Sequence, residues 1–471
     1  MTRPLYIKPK STLRQRAARL VLPPILYKLA RRGLPKLVGR LMRPVVELEA
    51  GARTGTWRAL ALPKPGFTED ALAVFGDDPR FSLWTLNRHF VKAVYPNFLP
   101  PWVDDNGYLL AGPALDPAKA ALRAFWMEAW PVLQQSARAD VVVTGNFGYH
   151  AEQEFGTAVE ASGVPLIAMH KEALKTPGFV GFFEDLYRNR RQPFKGRRVL
   201  VYNNIERGIQ IASGIITPDR VTICGMPRLD RAHRWRRAAA AGQVPAGDGR
   251  PRILFFSFHP KTGLPTIPRK KGSLPEGRRT ETLGAGLDEL TWEKVCNGCH
   301  QVLFEIAREN PDIDVVVKGK GGLLKWLERT GGPKLEAQGL PNLRLLVGGD
   351  PQELIGEATV VSGFITTALL EALASGRRVV VPRFEEVKLP THSPYFLDLG
   401  AAVEHAQSQD EFKRLLVQAA RNAVTPHAML SDQVATMLDY WAGNADGEAS
   451  RRVATAVAAE IDRPKRISRA A

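Results

Sequence analysis

Polar side chains suited to binding an anion follow three apolar runs in the second half of the chain. The positions are Ser257, His259 and Lys261 after the first run, Lys318 and Lys320 after the second, and Ser362, Gly363, Thr366 and Thr367 after the third. Ligands of doubly wound parallel sheets bind beyond the carboxyl ends of the strands, so we expect these positions to meet at one sheet edge. Cationic side chains, hydroxyls and the N–H groups of a helix N-terminus together suit a diphosphate. Alternatively, Thr366 only caps its helix and the lysines lie in solvent.

The segment from Ser362 to Gly376 carries the most compact pattern, Ser-Gly-Phe-Ile-Thr-Thr-Ala-Leu-Leu-Glu-Ala-Leu-Ala-Ser-Gly. A glycine turn precedes a hydroxyl-rich helix start, and Glu371 follows about one turn into that helix. Small residues end the helix before the next apolar run. The segment therefore predicts a ligand site at a strand–turn–helix junction.

Groups able to move a proton follow apolar runs in the first half of the chain. They are Asn146 and His150 after one run, His170 and Glu172 after the next, and Asn203 and Glu206 after a third. Removal of a proton from a substrate hydroxyl requires a base, and an imidazole or a carboxylate serves near neutral pH. We select His170 and Glu172 as candidate catalytic residues. The competing interpretation is a surface Lys–Glu pair beside a capping histidine.

The apolar runs that must position these groups are short, rich in β-branched residues and separated by helical patterns. They span 140–145, 164–169, 198–203 and 220–223 in a first series, and 253–258, 313–318, 343–347, 359–362 and 378–382 in a second. Strands that alternate with helices predict parallel βαβ units, and 471 residues are too many for one core. The predicted fold class is α/β, with two Rossmann-like doubly wound parallel-sheet domains facing a cleft.

The predicted organisation has four parts: a basic amphipathic extension (1–46), an N-terminal Rossmann-like domain (47–235), a C-terminal Rossmann-like domain (236–430), and C-terminal helices with a tail (431–471). Inside the third part, the basic, Gly/Pro-rich stretch from His259 to Gly286 is longer than an ordinary connection. We therefore predict a mobile functional loop there.

The excess of positive charge is local. The chain has a formal net charge of +17, and residues 1–46 hold twelve Lys/Arg without an Asp or Glu. Leucines at helical spacing alternate with arginines there, which predicts two short basic amphipathic helices broken at Pro23-Pro24. One interpretation is attachment to an anionic membrane surface, in which case removal of the segment leaves both domains folded. The other is a helical arm packed on the body.

The three cysteines provide no disulfide framework, which favours a reducing compartment. No apolar stretch approaches the length of a membrane span, and no secretory signal pattern is recognisable. We expect a cytoplasmic protein, with peripheral attachment to the inner face of the membrane as an addition through residues 1–46.

The sequence Cys296-Asn297-Gly298-Cys299-His300 matches the pattern of c-type haem attachment. Trp292, Val295, Cys296, Cys299, Leu303 and Ile306 nevertheless fall at helical spacing, which places both cysteines on the buried face of an amphipathic helix. We interpret the match as accidental, and we expect no covalently attached haem.

The Ser362–Gly376 segment resembles the donor-binding motif of GT-B glycosyltransferases. That resemblance implies a ribose ligand at Glu371, and phosphate near Ser362, Thr366 and Thr367. Val221-Thr222-Ile223-Cys224-Gly225-Met226-Pro227-Arg228-Leu229-Asp230 is similar to a passage of CDP-glycerol glycerophosphotransferase-like and surface-polysaccharide enzymes, and Met169-His170-Lys171-Glu172 is similar to first-domain passages of the same group.

One departure from that group concerns the second strand of the C-terminal domain. The glycerophosphotransferase-like enzymes commonly have Lys-Pro-His-Pro there, whereas this chain has Lys318-Gly319-Lys320-Gly321. The missing histidine favours a sugar donor over a polyol-phosphate donor.

The resemblance implies transfer of a sugar from a nucleotide-activated donor, bound by the C-terminal domain, to a glycan or lipid-linked acceptor of the cell surface, bound by the N-terminal domain. It also implies that no metal ion and no cofactor are bound. The alternatives are transfer of a polyol phosphate from a CDP-polyol, and a nucleotide-sugar epimerase or hydrolase on the same frame. A non-enzymatic alternative is a basic protein that binds membrane or RNA. Because no RNA-reading pattern with interleaved aromatics occurs, a nucleic-acid partner is not expected.

Overall fold

The computed structural model describes residues 13–51, 57–64, 66–110, 112–171, 173–244, 249–268, 280–282, 287, 289–319 and 339–463. The strands are β1 (Val46–Ala50), β2 (Trp57–Ala61), β3 (Phe81–Leu86), β4 (Val141–Thr144), β5 (Leu166–Met169), β6 (Arg198–Val201), β7 (Val221–Ile223), β8 (Arg252–Phe256), β9 (Thr266–Pro268), β10 (Thr280–Thr282), β11 (Asp314–Gly319), β12 (Leu343–Val347), β13 (Val360–Gly363), β14 (Arg378–Pro382) and β15 (Glu404–Ala406).

The helices of the first half are α1 (Leu13–Arg31), α2 (Pro35–Met42), α3 (Phe67–Phe75), α4 (Arg88–Val94), α5 (Asp105–Leu110), α6 (Asp116–Ala137), α7 (His150–Ala161), α8 (Pro177–Arg188), α9 (Asn204–Ala212) and α10 (Leu229–Ala240). Those of the second half are α11 (Glu293–Glu309), α12 (Pro351–Glu357), α13 (Thr367–Ala374), α14 (Gln409–Arg421), α15 (Asp432–Ala442) and α16 (Ala449–Asp462).

Two parallel-dominated sheets organise the chain. The first has the order β1-β3-β2-β4-β5-β6-β7, and the second has the order β12-β11-β8-β13-β14-β15. Only the pair β1–β3 is antiparallel within these two sheets. The predicted α/β class with two doubly wound sheets is therefore confirmed.

The central strands form because consecutive β-branched and aliphatic residues are buried on both sheet faces. All four residues of β4 and all five of β8 are buried. The first sheet extends further towards the N-terminus than the apolar runs predicted, since β1, β2 and β3 precede the first predicted strand. β1 and β2 contain charged residues and alanines, and β3 contains Ser and Thr among its apolar residues, so their strand structure depends on pairing with neighbours rather than on local pattern.

The N-terminal helices pack on the first domain. Helix α1 contacts α4, and α2 contacts α6. Leu26, Val38 and Met42 are fully buried in this contact. The predicted break at Pro23-Pro24 is wrong, because α1 continues through both prolines. Packing of α1 against the body outweighs the loss of backbone hydrogen bonds at the two prolines.

The last helix joins the two halves of the molecule. Val453, Ala454 and Val457 of α16 lie in the same apolar cluster as Phe67 and Phe75 of α3. The C-terminal end of the chain therefore returns to the first domain. Within the described ranges, no helix is both long and apolar enough to cross a membrane.

Part of the predicted loop between His259 and Gly286 is a two-stranded ladder, in which β9 pairs antiparallel with β10. Residues 269–279 and 283–286 lie outside the described residues. A small hairpin therefore accounts for some of the length of this connection.

Candidate active site

Residues that follow strands of the first sheet contact the C-terminal half of the chain, both in α15 and in the segment beyond β14. Nδ2 of Asn203, directly after β6, donates to the carbonyl of Trp441 at 2.7 Å. The ring of Phe179, beyond β5, lies 5.4 Å from that of Tyr395, beyond β14. The carboxyl edges of the two sheets therefore face one another, which is where ligands of doubly wound folds bind.

The turn between β13 and α13 is strained at one residue. Ile365 has φ 43°, a left-handed conformation that is an outlier for a β-branched side chain. The next residue, Thr366, caps α13 by accepting a hydrogen bond from the N–H of Ala368 at 3.3 Å. Strain of this kind is concentrated at ligand sites, where the surrounding structure holds it. The predicted strand–turn–helix junction therefore exists, with Thr366 and Thr367 partly exposed at its start.

The predicted hydroxyl of Ser362 lies deeper than the threonines. Ser362 is fully buried in β13, and its Oγ has no hydrogen-bond partner among the described residues. Gly363 is buried too, and a Cβ on it would lie 3.1 Å from the Cβ of Phe256 in the adjacent strand β8. Thr366 and Thr367, rather than Ser362, therefore offer the accessible hydroxyls of this junction.

Glu371 on α13 is buried close to a charged cluster of the first domain. Its carboxylate is influenced by the positive charge of Arg228 and the negative charge of Asp70. Burial raises the pKa of Glu371 to about 7, because the attraction of Arg228 only partly offsets the loss of hydration. Glu371, which we expected to bind the ribose, therefore lies where the two domains meet, and its carboxylate titrates near neutral pH.

The cluster itself consists of Asp70, Tyr202 and Arg228. The hydroxyl of Tyr202 donates to Asp70 at 2.5 Å, and Nη2 of Arg228 donates to that hydroxyl at 2.8 Å. Nε of Arg228 lies 3.0 Å from the Asp70 carboxylate. Each group thus has a charged or polar partner, as burial of charge requires. Arg228 belongs to the quoted Met-Pro-Arg-Leu-Asp passage, whereas nothing in the sequence around Asp70 indicated a functional position.

The remaining features of that passage are structural. Asp230 accepts hydrogen bonds from the N–H groups of Ala449 and Ser450, the first residues of α16. Gly225 has φ 84°, and a Cβ on it would lie 2.3 Å from the carbonyl oxygen of Gly443. The passage therefore holds the start of α16 through hydrogen bonds of Asp230, and it places Arg228 at the sheet edge.

Further cations reach the same edge of the first domain. Gly66 has φ 82°, and a Cβ on it would lie 3.5 Å from Nη1 of Arg228 and 3.6 Å from Nζ of Lys171. The Lys64 ammonium lies 3.9 Å from the ring centroid of Tyr149. Lys171 and Arg228 therefore lie close together, and Lys64 is a third basic residue that follows a strand of the same sheet; such residues favour an anionic ligand.

His170 lies below this edge rather than on it. The side chain is buried, and its Nε2 lies 3.1 Å from Oε1 of Glu206. Burial alone would raise the pKa of Glu206, but the charge and hydrogen bond of His170 lower it. The ring also packs on Phe147, with centroids 5.0 Å apart. Glu172, the second candidate, lies outside the described residues.

The remaining candidates cluster after β8 and β11. The Oγ of Ser257 lies 2.7 Å from Nε2 of His300. Nζ of Lys261 donates to the Leu290 carbonyl at 2.5 Å, and Nζ of Lys318 donates to that of Gly348 at 2.6 Å. His259 is exposed on the loop after β8, while Lys320 lies outside the described residues.

The residues of the haem-attachment pattern lie inside α11. Cys296 and Cys299 are fully buried in the core of the second domain, as the helical spacing predicted. Burial raises the pKa of Cys296 to about 12. Within the described ranges, no group of three or more His, Cys, Asp or Glu is arranged to hold a metal ion.

A groove of about 450 Å³ runs between the two domains. Its walls are largely apolar and come from α8 and from three segments of the second domain; the lining residues are Gly178, Phe182, Asp185, Leu186, Asn189, Pro265, Leu287 and Tyr395. The groove therefore has space for part of a ligand between the two domains.

No protein-family model matches the sequence, and no curated protein matches it. Several solved structures are similar in fold. The UDP-GlcNAc 2-epimerase of Neisseria meningitidis bound to UDP-GlcNAc is 10% identical, with a TM-score of 0.46, over 85% of this chain and 100% of that chain. A putative UDP-N-acetylglucosamine 2-epimerase of Listeria monocytogenes is 13% identical, with a TM-score of 0.46, over 88% and 98%. The wall teichoic acid polymerase TagF, in a variant soaked with CDPG, is 9% identical, with a TM-score of 0.46, over 96% and 98%.

Proposed function

We propose that this protein is a GT-B-like transferase that moves a sugar from a nucleotide-activated donor to a glycan or lipid-linked acceptor. The observation that carries the proposal is the position of Glu371. This carboxylate lies one turn into the helix that follows the strained turn at Ile365, and the charges of Arg228 and Asp70 in the opposite domain act on it. A ligand at Glu371 therefore lies between a helix N-terminus and a basic sheet edge.

In this proposal the donor diphosphate lies at the N-terminus of α13. The free N–H groups and the dipole of the helix favour an anion there, and the hydroxyls of Thr366 and Thr367 add hydrogen bonds. Glu371 accepts hydrogen bonds from the ribose hydroxyls. The charge that develops on the leaving diphosphate is stabilised by groups fixed in advance, including Arg228, so the proposed step requires no bound cation.

The acceptor would lie on the first domain. Lys64, Lys171 and Arg228 form its basic edge, which suits an acceptor that carries phosphate or carboxylate groups. His170 and Glu172 remain the proposed base for the acceptor hydroxyl. Glu206, whose Oε1 lies 3.1 Å from Nε2 of His170, would stabilise the imidazolium once a proton reaches this buried ring.

We also propose that the exposed face of α1 and α2 contacts an anionic phospholipid surface. Leu20 and Val21 are 78% and 59% exposed. The same two helices and the turn between them expose the basic residues Arg19, Lys28, Arg31, Arg32, Lys36 and Arg40. Apolar side chains among several cations suit a membrane interface, where each cation contributes about 1 kcal/mol.

The decisive experiment is a thermal-shift panel of UDP, GDP, CDP and CMP nucleotides on the full chain. One class should raise the unfolding midpoint, because a ligand that binds only the folded state stabilises it. Glu371→Gln should weaken that nucleotide at least about tenfold, since a hydrogen bond to a charged group contributes about 1.5–3 kcal/mol.

The matched control is Glu309→Gln, which makes the same change in the last turn of α11. It should bind nucleotide as the parent does. Unchanged affinity in Glu371→Gln, or no response to any nucleotide, would contradict the donor site. Product analysis with the selected donor then separates a transferase, which needs an acceptor, from an epimerase or hydrolase, which does not.

A further inference from the structure

Ser257 and His300 form a hydrogen-bonded pair at the carboxyl edge of the second sheet. Ser257 directly follows β8 and is partly exposed, whereas His300 on α11 is buried. The Oγ of Ser257 lies 2.7 Å from Nε2 of His300. On the other side of the ring, Nδ1 lies 2.7 Å from the carbonyl oxygen of Cys296.

These two contacts determine where the proton of the imidazole lies. A carbonyl oxygen only accepts hydrogen bonds, so Nδ1 must carry the proton that it donates to Cys296. Nε2 of the neutral ring then has a free electron pair, and the hydroxyl of Ser257 donates to it. Burial lowers the pKa of His300, which keeps the ring neutral at pH 7. The Ser257 oxygen is therefore polarised towards an alkoxide.

The ring of His300 is also held in orientation. Its centroid lies 5.4 Å from that of Phe255 and 6.5 Å from that of Phe258. A nucleophile, a base within hydrogen-bond reach and a third group that orients the base are the arrangement by which enzymes activate serine. The loop that follows Ser257 contains Lys261. Burial and the positive charge of Lys261 both lower the pKa of His259 in the same loop. A cationic neighbourhood favours an anionic electrophile.

We propose that Ser257 is a nucleophile activated by His300 and directed at an ester or anhydride of phosphorus. In the reaction, the Oγ forms a bond to phosphorus and the bond from phosphorus to the leaving oxygen breaks. The hydroxyl proton passes to Nε2 of His300, and the resulting imidazolium returns it to the leaving oxygen. The product is a phosphoserine ester at Ser257, which water or an acceptor hydroxyl then attacks.

The test uses the full chain and an alkyl fluorophosphonate, which contains no nucleotide and therefore does not depend on the donor site proposed above. Attack by Ser257 forms an O–P bond, expels fluoride and transfers the proton to His300. We expect a single adduct by intact mass, located at Ser257 by peptide mapping. Ser257→Ala should abolish it, and Ser393→Ala, which removes another exposed serine, should not.

The role of His300 has two independent readouts. His300→Gln should slow labelling about 10²-fold or more, because a positioned base contributes roughly that factor. If this variant does not fold, the comparison is made within the parent protein, where Ser257 should react at least about 10²-fold faster than Ser393. Equal labelling of the two serines, an adduct elsewhere or no adduct would overturn the proposal and leave Ser257 as a hydrogen-bond partner of a buried histidine.

Discussion

Arg228 and Asp70 form a largely buried ion pair, with Nε of the guanidinium 3.0 Å from the carboxylate and the side chains 16% and 1% exposed. They are 158 residues apart in sequence. Both charges of the pair act on Glu371 of the second domain. A buried charge that loses its partner is strongly destabilising, so the two domains share an electrostatic contact whose disruption is measurable.

Asp70→Asn should lower the free energy of unfolding by about 3–5 kcal/mol, because it leaves the Arg228 guanidinium without its counter-charge. Urea unfolding of the purified variant measures this. Asp77→Asn is the matched control, since Asp77 is 81% exposed and its pair with Arg234 is at the surface. A surface pair contributes at most about 1 kcal/mol. Similar stabilities of the two variants would show that Asp70 is not ionised in the folded protein.

Glu371 should make the stability of the protein depend on pH. Its pKa rises from an ordinary 4.5 to about 7 on folding, so the folded state binds more protons between these values. The stabilisation is fully present below pH 4.5 and is lost as the pH rises through about 7, for a total of about 3 kcal/mol. Glu371→Gln should therefore reduce the difference in unfolding midpoint between pH 5 and pH 8. The same pH dependence in Glu371→Gln and Glu309→Gln would refute this assignment.

The three cysteines should not react with a thiol reagent in the folded protein. All three are buried, and burial raises the pKa of Cys224 and of Cys296 to about 12. Three equivalents should react only after denaturation, as an absorbance assay with an aromatic disulfide will show. Replacing Cys296 and Cys299 by Ala and Val should cost about 1–2 kcal/mol without loss of activity. A covalent haem spectrum in the parent protein would refute the core assignment.

The buried face of α2 should contribute to stability. Met42 is fully buried between α2 and the body, so Met42→Ala should cost about 2–5 kcal/mol in the free energy of unfolding. Met127, on α6, is 44% exposed, and Met127→Ala should change the free energy of unfolding by less than about 1 kcal/mol. For the same reason, deletion of residues 1–46 should expose core residues and destabilise the first domain, contrary to the interpretation of the segment as a detachable anchor.

The exposed face of α1 and α2 should determine binding to vesicles of phosphatidylserine and phosphatidylcholine. A variant with its basic residues neutralised should bind less, and raised salt should mimic it by screening. The changes are Arg19, Lys28, Arg31 and Arg32 to Gln; the control changes Arg308, Arg383, Arg414 and Arg451 to Gln. Both variants should remain as stable as the parent. Equal loss of binding in the two would show that net charge alone attracts the protein.

The local sequence pattern was sufficient to predict much of the fold. Consecutive β-branched residues predicted the buried strand β4, and the helical pattern expected between this strand and the next is the helix His150–Ala161. These elements are recognisable because burial on both faces requires an uninterrupted apolar run. The strands β1, β2 and β3 have no such run. Pro23-Pro24 lie inside α1, although prolines within a helix normally interrupt it. In both cases contacts made in the folded protein outweigh the local preference.

The sequence by itself determined which residue types stand at the carboxyl ends of the strands, and hence that one edge of each sheet is polar and able to bind a ligand. It also determined the turn and helix start that lead to Glu371. Only the tertiary structure decided which of these groups meet: Asp70 with Arg228, His170 with Glu206, and Ser257 with His300. The physical reason is that the pairing and ionisation of a buried group depend on its distance from charges and on its loss of water, and both are set by segments far apart in the chain.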